Sequence, residues 1–89
     1  MVASVPSTEK FEPTPKRSEE PIYLESAEVE VLRLIDLEKL SFEETGRRMN
    51  VSRNTVWRLA ENARQKIISA IFEGREIIIR RDNVETSDF

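Results

Sequence analysis

Residues 40–59 read LSFEETGRRMNVSRNTVWRL, and this stretch decides the fold. Ser41 followed by Glu44 is a capping-box signature, so a helix is predicted over 42–49. Ser52 caps the next helix, which meets no proline or glycine until Gly74 and is predicted over 53–73. Two helices joined by so short a turn make three demands. The first helix needs a very small residue where the second approaches, and Gly46 supplies it at a cost of about 1 kcal/mol in helix propensity. The turn needs a residue that tolerates positive φ, and Asn50 is the best substitute for glycine there. The faces that meet need apolar side chains. Met49, Val56 and Leu59 fall in register for this, with Val51 expected to plug the turn. The spacing is that of a helix-turn-helix running from Phe42 to about Ala60.

At 100° per residue, Val56, Leu59, Ala60, Ala63 and Ile67 gather on one side of the third helix. Arg53, Asn54, Trp57, Arg58, Glu61 and Arg64 fall elsewhere. The chemistry of the N-terminal end suits double-stranded DNA in the major groove. Arginine pairs with guanine O6/N7 and asparagine with adenine N6/N7, so Arg53, Asn54 and Arg58 are candidate contacts. Ser52, Thr55 and the free N–H groups of the helix start suit phosphates. Arg47 and Arg48 are expected on the flanking backbone. Trp57 has two readings, stacking at the DNA surface or packing under the N-terminal segment.

Upstream, Ile22–Leu24 is predicted as a short strand. Ser26 is read as the N-cap of a helix over 27–38, whose buried face is Val31, Leu32, Leu34, Ile35 and Leu37, with Glu30, Arg33, Asp36 and Glu38 outward. Downstream of Gly74, the β-branched Ile77, Ile78 and Ile79 predict a strand over about 76–80. Its partner is either Ile22–Leu24 or the same strand of a second copy. All four prolines lie in residues 1–21, a flexible or loosely docked arm with Phe11 as its anchor. Residues 82–89 read as an acidic tail. A second apolar stripe, Ile68, Ile71 and Phe72, either lies under Ile77–Ile79 or joins them in a homodimer interface. Dimer formation is expected, because one short helix-turn-helix rarely gives useful affinity.

Composition narrows the function classes. The chain has 89 residues, with neither histidine nor cysteine. It therefore lacks the commonest general base, the commonest metal ligand and any thiolate site, and neither an enzyme nor a cofactor-binding protein is expected. No small-molecule ligand site is evident. No run approaches the roughly 18 apolar residues of a membrane span, and the first residues do not resemble a signal peptide. A cytoplasmic location is the default expectation. The net charge of −3 is unevenly distributed. Residues 1–40 hold five basic and nine acidic side chains, whereas residues 41–81 hold nine basic, eight of them arginine, and five acidic. The positive charge coincides with the motif.

The run VEVLRLIDLEKLSFEETGRRMNVSRNTVWRLAENARQKI, followed by SAIFEGREIIIR, resembles the domain-of-unknown-function 134 family. These are small prokaryotic proteins related in pattern to region 4 of sigma-70-type factors. The resemblance covers about Ile22 to Arg81. Gly46 stands where the family usually has alanine, and Asn50 where it usually has glycine. A DNA-binding transcriptional regulator is what the resemblance implies. The alternative it carries is a protein–protein interaction module, since sigma region 4-like domains also contact polymerase subunits and anti-sigma partners. The predicted architecture is mainly α: a three-helix helix-turn-helix domain with a long third helix, a short C-terminal strand and a flexible N-terminal arm.

Overall fold

In the computed structural model, residues 8–80 are described. The start of the arm, Arg81 and the acidic tail over 82–89 lie outside them. The order of elements is β1 (Lys10–Phe11), β2 (Ile22–Leu24), α1 (Ser26–Leu32) continued by a π-helical turn (Arg33–Leu37), α2 (Phe42–Met49), α3 (Arg53–Glu73) and β3 (Ile77–Ile79). The protein is mainly α with a short C-terminal strand, as the sequence predicts. No helix of the described residues is long and apolar enough to cross a membrane.

The core forms where three helices pool their small apolar faces. Val31 and Leu34 from the first helical segment, Met49 from α2, and Val56 and Ala60 from α3 make one buried cluster, flanked by Leu40, Phe42 and Leu59. Alanine at 60, 63 and 70 keeps the inner side of α3 thin, and all three are buried. Gly74 ends α3 in the left-handed conformation, φ 63°.

The strand β3 lies in the middle of a three-stranded sheet of order β1-β3-β2. It pairs in parallel with β2, Tyr23 opposite Ile78, so the Ile22–Leu24 alternative is the one realised within the chain. β2 alternates as a half-buried strand should, with Ile22 and Leu24 inward and Tyr23 outward beneath the Arg80 guanidinium, 4.2 Å from its ring centroid. On its other side β3 pairs antiparallel with β1, Phe11 opposite Ile77. The described part of the arm is thus held by backbone pairing, whereas Phe11, expected as its anchor, is 58% exposed. The Arg17 N–H donates to the Gly74 carbonyl at 2.9 Å, and Arg75 donates to the carbonyls of Glu20 and Pro21 at 2.7 and 3.2 Å.

Several local expectations are corrected. The N-cap of α1 is Glu25 rather than Ser26, because the Glu28 carboxylate reaches back to the Glu25 N–H at 2.9 Å. Leu37, expected in the core, is 76% exposed. The π-helical turn inserts one extra residue per turn and leaves Ile35 at the edge of the core while Asp36 and Leu37 turn outward. The segment then turns on Lys39 at φ 62°, and the Leu40 N–H reaches back to the Leu34 carbonyl at 3.0 Å. Glu30, expected outward, is buried. Arg33 holds it with a two-pronged contact at 2.8 and 3.2 Å, which raises the Arg33 pKa.

Glu28 is buried as well, and its partner comes from far along the chain. Lys66 donates to Glu28 Oε1 at 2.9 Å and to the Tyr23 carbonyl at 2.8 Å, tying α3 to α1 and β2. Removing the cation alone leaves a buried carboxylate uncompensated, whereas removing both charges relieves much of that cost. Lys66→Met is expected to cost about 2 kcal/mol in urea unfolding, since hydrogen bonds to charged groups are worth roughly that much. Adding Glu28→Gln should recover part of the loss. A single variant as stable as the wild type would show the pair to be energetically idle.

Candidate nucleic-acid interface

The junction of α2 and α3 is built by three local devices. Ser41 Oγ accepts the Glu44 N–H at 3.0 Å and starts α2. The reciprocal half of the expected capping box is not what Glu44 does. Its carboxylate turns to Arg47 and, at 3.7 Å, to Arg48. Asn50 then ends α2 in the left-handed conformation (φ 61°, ψ 45°), the role its residue type suits. Ser52 starts α3: its Oγ accepts the Thr55 N–H at 3.0 Å and donates to Thr55 Oγ1 at 2.9 Å.

Gly46 sets how closely the two helices approach. A Cβ at this position would stand 2.7 Å from the Val51 carbonyl oxygen. The Val51 N–H donates to the Gly46 carbonyl at 2.9 Å, so backbone meets backbone here. Val51 does not plug the turn as expected. Its side chain is 37% exposed, and the junction is closed by its main chain instead.

Beyond Ser52 the inner and outer sides of α3 separate cleanly. Val56 and Ala60 are fully buried, while Arg53, Asn54, Trp57 and Arg58 are exposed and Thr55 is half-buried. Trp57 is 49% exposed, which favours a surface role over packing beneath the arm. Among the described residues, Arg53 and Arg58 have no acidic partner. Arg47 and Arg48 share Glu44, and the hydrogen bond that Arg47 donates to Glu44 raises the Arg47 pKa, so that guanidinium stays charged but is partly neutralised. An open groove between the helices is rimmed by Glu43, Arg47, Asn50 and Arg53. The sequence reading assigned Asn50 only a backbone role. Its exposed amide on this rim was signalled by its being a polar residue at the tip of the turn.

The residues expected at a dimer interface divide into two groups. Ile68, Ile71 and Phe72 are exposed on the outer side of α3. Ile77, Ile78 and Ile79 are half-buried within the sheet between β1 and β2. Phe11 and Pro13 lie beside Ile71 and Ile77 around a small apolar hollow, a neighbour that the sequence did not announce.

Comparison with known proteins shows the family of the chain. The profile described as protein of unknown function DUF134 matches residues 1–87. A UPF0251 protein of Archaeoglobus fulgidus is 40% identical over 80 residues, covering 90% of this chain and 76% of its own length. One from Thermococcus kodakarensis is 43% identical over 82 residues, covering 89% and 73%. A third, from Pyrococcus horikoshii, is 52% identical over 59 residues, covering 66% of this chain and 54% of its own. No solved structure matches. With nearly its whole length matched by one profile, the chain belongs to the DUF134 family, whose function is unknown.

Proposed function

We propose that this chain is a sequence-specific DNA-binding protein, a non-catalytic transcriptional regulator whose α3 enters the major groove of double-stranded DNA by its N-terminal turns. One observation carries the reading. Among the described residues, Arg53 and Arg58 stand exposed and without acidic partners, beside Asn54, on a helix whose opposite side is locked in the core. Such side chains can meet base edges without first breaking an ion pair. Arg47 and Arg48 serve the flanking phosphates, where Glu44 is displaced or shared. Ser52 and Thr55, hydrogen-bonded to each other, present the start of α3 to a phosphate. Trp57 stacks against sugar or methyl groups.

A second reading, a protein–protein module, draws on the apolar groove along the outer side of α1, where Val29, Leu32 and the exposed Leu37 meet. Fluorescence anisotropy against a pool of random duplexes at two salt concentrations separates the readings. Phosphate contacts release counterions, so DNA binding is expected to weaken steeply with salt, by about tenfold or more between 50 and 200 mM. No binding at either salt transfers the function to the groove.

A further inference from the structure

The outer side of α3 carries two different surfaces on one continuous ribbon. Stepping by three or four residues from Arg53, the positions 57, 61, 64, 68 and 71 run down the same side, and all are exposed. The first two turns of this ribbon are the proposed DNA-reading end. The last two are apolar: Ile68, Ile71 and Phe72, the last 81% exposed, with Phe11 of β1 adjoining Ile71. Among the described residues nothing covers this end, since β3 is occupied in the sheet between β1 and β2.

Two observations favour a second copy of this chain as the occupant. The four side chains offer roughly 450 Å² of apolar surface, so a two-fold pairing reaches the roughly 1,000 Å² of a specific interface once flanking atoms are added. The charges around them are paired within the chain, Arg75 with Glu73 at 3.0 Å and Lys10 with Glu12 at 3.0 Å and Glu76 at 3.3 Å, so each rim brings a small net negative charge and no unpaired cation.

The shared ribbon then dictates how such a dimer holds DNA. Resting on the DNA-binding reading above, we infer that two copies pair through Phe11, Ile68, Ile71 and Phe72, and that their α3 helices fork around the duplex with the reading faces turned toward each other. Helices that pair in parallel through their outer sides at one end present those same outer sides to each other at the other end. Asn54 lies about 24 Å along α3 from the middle of the apolar patch. A fork of about 60° therefore parts the reading ends by about 24 Å, enough to straddle a double helix as the forked basic-region dimers do. Recognition from opposite sides of the duplex puts the half-sites about 5 base pairs apart, half a turn, rather than the full turn of side-by-side helix-turn-helix dimers.

Sedimentation equilibrium on the whole chain, followed by sequencing of duplexes selected from a random pool, tests both parts. The wild type is expected to be a dimer at tens of micromolar. Phe72→Glu should be monomeric, at least 100-fold weaker in self-association, with an unchanged circular dichroism spectrum because the ring contributes little to the core. A monomeric wild type, or a Phe72→Glu variant that still dimerises, overturns the interface. Selected sites should be inverted repeats with centres about 5 base pairs apart. Centres about 10 apart overturn the fork but leave the DNA-binding reading intact. A dimer that selects no sequence overturns that reading, and the fork with it, while the interface stands.

Discussion

Replacing both Arg53 and Asn54 by alanine is expected to erase sequence preference while leaving the fold almost untouched. A good bidentate pair with a base is worth about 1–3 kcal/mol of discrimination. Losing two such pairs should cost between about 30-fold and 10⁴-fold in affinity for the preferred site, with non-specific duplex losing far less. The residual binding should be the phosphate component, still steeply salt-dependent. Stability should change by no more than about 0.5 kcal/mol, because both side chains are exposed and the Ser52 cap remains. Competition titrations with specific and random duplex, beside thermal melts, give both numbers. If the double variant binds the preferred site as the wild type does, α3 is not the reading element. Arg58→Ala provides an internal control. If Arg58 touches a phosphate, its loss should weaken all sequences alike and reduce the salt slope by about one.

Much of the fold was legible because it is decided locally. Ser41, Asn50, Ser52 and Gly74 each act through their own backbone and a neighbour three or four residues away, and all four do what their residue types suggest. The exposed face of α3 was legible for the same reason: its inner side is fixed by a simple period. The misreadings come from interactions that sequence spacing does not carry. Glu28 is buried because Lys66, 38 residues later, stands opposite it. Leu37 is exposed because a single π-helical turn shifts the phase of an otherwise regular pattern. The arm is docked through backbone pairing to β3, and backbone hydrogen bonds leave almost no trace in side-chain composition. Within the candidate site, the sequence gives no warning that Glu44 abandons its capping role for Arg47. Two oppositely charged residues three apart on a helix can form a pair or leave it unmade at little cost.

The most consequential single position for the architecture of the site is Gly46, and Gly46→Val is expected to destabilise the protein by about 3 kcal/mol, the upper end of the cost of overpacking a tight contact. A new Cβ would stand 2.7 Å from the Val51 carbonyl oxygen and 3.6 Å from the Arg53 nitrogen, so the obstruction is backbone rather than a side chain able to swing aside. The turn cannot simply retreat, because the Val51 N–H is bonded to the Gly46 carbonyl and Asn50 already holds the left-handed conformation that closes α2. Helix propensity offers little relief, since valine is only slightly better than glycine in a helix. Alanine brings the same Cβ against the Val51 carbonyl, but it lacks valine's two methyls and gains about 1 kcal/mol of propensity, so Gly46→Ala should cost about 1 kcal/mol net. In a domain of this size each kcal/mol moves the midpoint of melting by about 4–8 °C, so with about 2 kcal/mol between them the valine variant should melt about 8–16 °C below the alanine variant. The two variants also separate stability from function. Gly46 fixes the distance between Arg47 on α2 and Arg53 on α3. Valine should therefore weaken DNA binding even at temperatures where circular dichroism shows it fully helical. If valine is tolerated with both melting and binding unchanged, the close approach of the Val51 carbonyl to Gly46 is not a constraint on the site.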